Sequence, residues 1–397
     1  MAVAPSRCTR LHSARRRVAL LVSAFALLVT LPACAEAKSN LQVGFLDNAY
    51  ALSAPSAYWG DAVALNVGFA RWDVQWRNIT SGRPAHPRDP EDPAYDWSGS
   101  DAFMRQAAAH GIADRVMFTL WMTPTWAVGT GATSSFATQM PKLRDWRDFV
   151  HACAVRYSGT YVPPGQSEPL PRVKAWETWN EPNAAFAFRP QRIKGKPVSP
   201  RNYVRLLNAL KAEVSAAVPF DPTFVAGGMY KQGGPASLTP VAFMRGLAAA
   251  HAKFDVLSMH PYNNVPRLGL RDGRGQSRTN PSFIGIGNFE DFIAIANRTF
   301  HRRYPIWITE FGLPTVAPGK EQYAAPESLQ ATYARGAIAK LKRLPQVERM
   351  AWFLVRDELP RDGAWYTTGL RTPAGAEKPS YAAFRDAAAK LAPSPIR

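Results

Sequence analysis

Val173-Lys174-Ala175-Trp176-Glu177-Thr178-Trp179-Asn180-Glu181-Pro182-Asn183 is an apolar, β-prone run that stops at an acid and a proline. Pro305-Ile306-Trp307-Ile308-Thr309-Glu310-Phe311-Gly312 repeats the pattern further along. In each a strand-like segment delivers a glutamate at its C-terminal end. Glu181 and Glu310 are 129 residues apart (181 to 310), so only a tertiary fold brings them together.

Working outward, the chain alternates strand-like and helix-like segments without a linker or internal repeat. The strand candidates are Leu41–Leu46, Ala64–Trp72, Arg115–Trp121, Val173–Trp179, Thr223–Gly227, Phe254–Met259, Pro305–Thr309 and Arg349–Val355. Several are continuous apolar runs, the pattern of parallel strands buried on both faces. Between them, 3.6-residue spacing predicts helices over Ser100–His110, Leu143–Tyr157, Arg201–Val218, Pro240–Ala252, Asn288–Arg302, Pro326–Leu341 and Tyr381–Leu391, with a less distinct one near Ser56–Ala64. Eight strand–helix units predict an α/β fold, a (β/α)8 TIM barrel. A doubly wound sheet is the alternative, but no glycine-rich phosphate turn follows the first strand. Residues 80–96, 128–142 and 263–287 become long βα loops after strands two, three and six, on the face where barrels carry their sites.

The N-terminus reads as an export signal over residues 1–37, followed by a single catalytic domain over 38–397. Arg15-Arg16-Arg17 precedes an apolar stretch from Val18 to Leu31, and small residues follow around Ala33-Cys34-Ala35. The stretch is short for a membrane span. The expected location is periplasmic or extracellular, with Cys34 as a site of lipid attachment if Leu31-Pro32-Ala33-Cys34 is a lipoprotein box. Of three cysteines, Cys8 and Cys34 fall in or beside the signal and Cys153 in a helix, which leaves no disulfide pair and no metal-ligand spacing. The expectation is a monomer with no cofactor and no metal. The net charge is +18, of which Arg7, Arg10, Arg15, Arg16 and Arg17 belong to the signal. That balance fits an acidic polysaccharide or anionic envelope as partner, or simply an arginine-rich proteome. No basic run is interleaved with aromatics, so nucleic acid is excluded as a partner.

Two carboxylates meeting in one pocket suit cleavage of a glycosidic bond, one as proton donor and one as nucleophile or base. Arg71 ends the second strand, and an arginine inside a barrel needs a carboxylate partner, for which Glu177 and Glu310 are candidates. Glu177 lies two residues before Trp179 and reads as that structural partner rather than as a catalyst. Asp73 is also read as structural. His260, two residues before Tyr262 at a strand end, reads either as a site residue or as a core histidine. Trp121, Trp126 and Trp352 are candidate sugar platforms, each equally readable as core.

Trp-Asn-Glu-Pro ending strand four, with Thr-Glu-Phe-Gly ending strand seven, resembles the retaining glycoside hydrolases of clan A, families 39 and 5 among them. Tyr95-Asp96-Trp97 with Asp101 and Gly111, Pro124-Thr125-Trp126-Ala127, and His260-Pro261-Tyr262 extend the resemblance over nearly all of residues 38–397. It implies Glu181 as general acid/base and Glu310 as nucleophile, with Arg71 and Tyr262 donating to Glu310. It implies that Asn180 binds the 2-hydroxyl of the reacting sugar and that configuration is retained. It further implies a β-linked oligo- or polysaccharide substrate, with β-xylosides and bacterial exopolysaccharides leading. A non-catalytic polysaccharide-binding barrel and a transglycosylase are the competing readings. The chain departs from the clan near the end of strand eight, where Val355-Arg356-Asp357 stands in place of a tryptophan.

Overall fold

The structure, a computed structural model, describes residues 40–128, 136–263, 270–315, 325–358 and 366–397. The expected export signal over residues 1–37 lies outside these residues, as do positions 129–135 and 264–269 of two of the expected loops.

Eight parallel strands close into a barrel. They are β1 (Gln42–Phe45), β2 (Phe69–Gln75), β3 (Val116–Trp121), β4 (Ala175–Thr178), β5 (Thr223–Tyr230), β6 (Val256–His260), β7 (Ile306–Phe311) and β8 (Val347–Trp352). Each pairs with its sequence neighbour, and β1 closes against β8 with Phe45 opposite Trp352. The principal helices are α1 (Pro55–Ala64), α2 (Ser98–Ala109), α3 (Leu143–Arg156), α4 (Ser199–Ala217), α5 (Pro240–Ala249), α6 (Phe289–Phe300), α7 (Glu327–Leu341) and α8 (Pro379–Ala388). This is the expected (β/α)8 barrel. None of the described helices is long and apolar enough to cross a membrane.

Helix boundaries follow local chemistry. Thr239 caps α5 by accepting from the Ala242 N–H at 3.1 Å, with Pro240 fitting the first turn. Along α4, Tyr203, Leu206, Leu207, Leu210 and Val214 recur at three- and four-residue spacing and are all buried. Truncating one of those leucines to alanine is expected to cost about 2–5 kcal/mol. The second strand was expected over Ala64–Trp72 but starts at Phe69. Ala64 is the last residue of α1, and the chain turns through Asn66 in the left-handed region before Gly68 donates to the Val43 carbonyl. Apolar residues ending a helix and those starting a strand form one continuous run in the sequence, so the boundary was hidden.

Strand alternation divides side chains into two layers. Outward residues such as Phe118, Trp176, Ile308 and Trp352 belong to the main core. Inward residues Met117, Ala175, Val225, Val256 and Trp307 form a second apolar cluster inside the barrel. Further along the inward face come polar residues, Arg71, Thr119, Glu177, Ser258 and Thr309, all at most 1% exposed. A dry plug therefore underlies a polar layer, which leads toward the C-terminal rim. The 80–96 loop, expected as a cleft wall, is pinned to the helical layer by Arg83–Asp145 at 2.7 Å and by Arg88 on Asp148 and Glu213.

Candidate active site

Glu181 sits three residues beyond the end of β4, on a turn with unusual backbone. Trp179 (φ 65°) and Glu181 (φ 47°) both occupy the left-handed region without being glycine. Each such residue costs on the order of 1–3 kcal/mol and persists only where its surroundings enforce it. Here Trp179 donates its N–H to Leu120 and its indole N–H to Ala187, while Glu181 N–H donates to the Gly228 carbonyl at 3.0 Å. Glycine is favoured at Gly228 for the same reason: its φ is 48°, and a Cβ would lie a tight 3.2 Å from Glu177 Oε1. Beside it, a Cβ on Gly227 would lie 2.4 Å from the Ser258 carbonyl. The glycine pair thus lets β5 approach both the buried acid Glu177 and strand β6.

Glu310 is the fifth residue of β7. Arg71 reaches it from β2, donating from Nη1 to Oε1 at 2.9 Å, and Tyr262 donates its hydroxyl to Oε2 at 3.0 Å. The guanidinium also donates to Asn180 Oδ1 at 2.8 Å, and through Nε to Asp73 at 3.0 Å and Thr119 at 2.9 Å. Glu177 lies 3.6 Å from Arg71 Nε and accepts from the hydroxyls of Thr119, Ser258 and Thr309. Its carboxylate is thus saturated by the barrel interior, as the structural reading requires. Asn180 spends its amide oxygen on Arg71, which turns its N–H groups toward another acceptor.

His260 is fully buried, with Nε2 3.1 Å from Arg71 Nη1 and Nδ1 3.1 Å from Glu181. Burial and the guanidinium hold it neutral, with a pKa well below the ordinary imidazole value. Nε2 also lies 3.0 Å from Thr309 Oγ1, and Nδ1 lies 3.7 Å from Glu310. Glu181, His260 and Glu310 offer three ligand atoms within 4.8 Å of one another, a set that would also suit a metal ion. Arg71, in contact with two of the three, already supplies positive charge there.

The electrostatics separate the two glutamates. Burial raises Glu181 well above the ordinary carboxylate range, and the Glu310 charge raises it further. Burial also raises Glu310, to about 7, but Arg71 and the Tyr262 hydroxyl work in the opposite direction. Because these donors favour the Glu310 anion, the first proton leaves Glu310 and Glu181 keeps its own. Burial disfavours the charge on Arg71, but Asp73, Glu310 and Glu177 outweigh it.

The aromatic candidates divide. Trp352 is fully buried among Phe311 and Phe384 and donates to the Thr368 carbonyl, so it is core rather than a platform. Its phase on β8, shared with the outward Met350, carries that information. Trp121 shares the inward phase of Thr119 on β3, lies beside Asp73 and is half-buried. Trp126 is half-buried between the perpendicular Trp76 ring and the Arg83 guanidinium. At the end of β8, where the resemblance calls for tryptophan, half-buried Phe353 packs edge-on to Tyr366 at 5.7 Å. Tyr366 feels the charges of both Glu310 and Glu181. Phe353, Tyr366, Tyr230 and Lys231 were not singled out in the sequence, although Phe353 follows the inward phase of Arg349 and Ala351. A cavity of about 530 Å³ lined by Tyr50, Asp61, Arg356 and Arg371 includes none of the residues that contact the two glutamates.

Residues 178–368 match the family described as "Glycosyl hydrolase catalytic core". The matched stretch carries both Glu181 and Glu310, so the half of the barrel that holds the paired acids is similar to a glycosyl hydrolase catalytic core. By overall structure the chain is similar to a family 39 glycoside hydrolase from the gut symbiont Bacteroides cellulosilyticus WH2. The TM-score is 0.63 and the identity 18%, over 89% of this chain and 64% of that one. It is also similar to a monomeric β-xylosidase from Caulobacter crescentus CB15 (TM-score 0.57, 18% identity, 87% and 67% covered). A third likeness is to a subfamily 18 enzyme of glycoside hydrolase family 5 from Streptomyces cattleya, solved with Manβ1-4GlcNAc (TM-score 0.61, 15% identity, 88% and 80% covered). At these identities the likeness is one of fold. The chain spans 64% of the length of the Bacteroides protein. Comparison with curated proteins by sequence gives no match.

Proposed function

We propose that this protein hydrolyses β-glycosidic bonds of an oligo- or polysaccharide by double displacement with retention. The observation that carries this reading is the short gap between the acids: a Glu181 oxygen and a Glu310 oxygen lie within 4.8 Å. Separations of about 5 Å accompany a covalent route, whereas direct attack by water needs about 6.5–9.5 Å.

In the first step a Glu310 oxygen attacks the anomeric carbon, and the bond to the leaving oxygen breaks as that oxygen takes the Glu181 proton. Arg71 and Tyr262 hold the attacking carboxylate ionised and oriented. In the second step Glu181, now a base, takes a proton from water. The water oxygen bonds to the anomeric carbon and Glu310 departs. The Asn180 N–H groups are placed to donate to a sugar hydroxyl beside the reacting carbon, a bond that strengthens as positive charge develops. Trp121, Trp126 and Phe353 offer aromatic faces around that sugar. A leader over residues 1–37 would place this activity outside the cytoplasm, on a polysaccharide of the envelope or surroundings.

Glu310→Ala tests the assignment. Turnover of activated aryl β-glycosides is expected to vanish, and azide is expected to restore part of it by taking the nucleophile's place. Full activity in that variant contradicts the reading. A purely polysaccharide-binding barrel predicts no turnover by the unaltered protein.

A further inference from the structure

Beside Glu181 stand three residues that the bond-breaking steps do not use. Phe186 lies five residues beyond Glu181 and is 57% exposed, the highest value among the large apolar side chains described. Its ring meets Tyr230 edge-on at 5.0 Å. The contact is fixed because Asn183 clamps the end of β5: its amide donates to the Tyr230 carbonyl at 3.0 Å and accepts the Tyr230 N–H at 2.7 Å. Lys231 comes next, half-buried, with its ammonium donating to the Asn263 carbonyl at 3.1 Å. That ammonium lies 5.7 Å from the centre of the Tyr230 ring and 6.0 Å from that of Tyr262, whose hydroxyl holds Glu310.

Among the described residues no carboxylate forms an ion pair with Lys231. Its surroundings press against its charge, and only the more distant Glu181 and Asp272 favour it. A half-buried ammonium without a close counter-ion is costly to maintain in a folded protein. The position is informative, because Glu181 gives its proton to the leaving oxygen. Phe186 lies on the loop of Glu181, and Tyr230 and Lys231 follow Gly228, whose carbonyl accepts the Glu181 N–H, which sets these groups on the proton donor's side, toward the sugar that departs.

We propose that Lys231, with Phe186 and Tyr230, forms a leaving-group subsite for an acidic sugar, a uronate whose carboxylate pairs with the Lys231 ammonium. The rings take the apolar face of that sugar and the lysine selects its charge. The inference rests on the assignment of Glu181 as the proton donor. The chain's net charge of +18 acts in the same sense, drawing an acidic polysaccharide to the surface. Pairing also serves catalysis. In the free protein Lys231 favours the ionised form of Glu181. A bound uronate neutralises that influence and leaves Glu181 a better-protonated acid when substrate is present.

The test compares oligosaccharides that carry glucuronate at the leaving position with their carboxyl-reduced counterparts, using the unaltered protein, Lys231→Met and Lys231→Arg. The unaltered protein is expected to favour the glucuronate member by roughly 10–100-fold in kcat/KM, the range for one charge-assisted contact. Lys231→Met removes the preference, Lys231→Arg keeps most of it, and added salt erodes it. Because each preference is a ratio within one variant, loss of folded protein cancels. Equal turnover of both members by the unaltered protein, or an equal fall on both in Lys231→Met, overturns the inference. If aryl β-glycosides are cleaved in a Glu310-dependent way without any uronate preference, this inference fails alone. If nothing is cleaved, the glycosidase reading fails with it.

Discussion

Arg71 Nη1 lies 2.9 Å from Glu310 Oε1, an ion pair that joins β2 to β7 within the barrel. The same guanidinium touches Asp73 and approaches Glu177, so one buried cation serves three buried carboxylates. Removing it leaves those acids uncompensated. Arg71→Met is expected to lower stability by about 3–5 kcal/mol, read as a fall in the unfolding midpoint in denaturant. Arg71→Lys keeps the charge but not the fork that reaches Glu310 and Asn180 together. It is expected to unfold less readily than Arg71→Met yet to lose at least about 100-fold in kcat/KM, a figure typical of lost transition-state electrostatics.

The pH dependence of kcat/KM is expected to be bell-shaped. Activity falls on the acid side as Glu310, raised to about 7, takes up a proton and ceases to be a nucleophile. It falls on the alkaline side as Glu181 loses the proton it must donate. Lys231 favours the Glu181 anion, so Lys231→Met is expected to move the alkaline limb upward. A downward shift contradicts this placement of the ammonium.

Glu310 is held at a cost in stability. Its pKa is about 7 in the folded protein, against 4.5 for an ordinary glutamate. Between those values the unfolded chain releases a proton that the folded chain keeps, so the native state loses stability as pH rises through this window. Glu310→Gln removes that penalty. Its melting temperature is expected to exceed that of the unaltered protein at pH 7 and above, by on the order of 1–3 kcal/mol in stability. The gain is expected to disappear below pH 4.5. A variant less stable at pH 7 than at pH 4.5, relative to the unaltered protein, contradicts this.

Glu177 and Glu181, four residues apart, are expected to fail differently. Glu181→Ala should spare aryl glycosides with acidic leaving phenols, which need little proton donation, and depress those with poor leaving groups by orders of magnitude. Azide should yield a glycosyl azide in that variant. Glu177→Gln disturbs the bonds from Thr119, Ser258 and Thr309. It should depress all substrates alike, destabilise the fold by about 1–3 kcal/mol and show no azide rescue.

The barrel and its two acids were legible because parallel strands buried on both faces leave continuous apolar runs, and the two glutamates stand at the ends of such runs. Arg71 and Glu177 were legible as partners because a charge inside a barrel has few alternatives. Trp352 stood open between platform and core because its strand position was noted without its phase, which turns it outward into the core. Phe186, Tyr230 and Lys231 left no periodic signal. They come together through the left-handed turn at Trp179 and Glu181 and the Asn183 clamp on β5, and neither is encoded in local hydrophobic pattern.

Double displacement through Glu310 is tested most directly by trapping the glycosyl-enzyme. A 2-deoxy-2-fluoro glycoside with a good leaving group slows the second step, and mass spectrometry of peptides locates the sugar. The account predicts one sugar per chain, on the peptide carrying Glu310, with the anomeric configuration of the natural product retained by NMR. Hydrolysis that proceeds with inverted configuration and no adduct, or an adduct on Glu181, would contradict it.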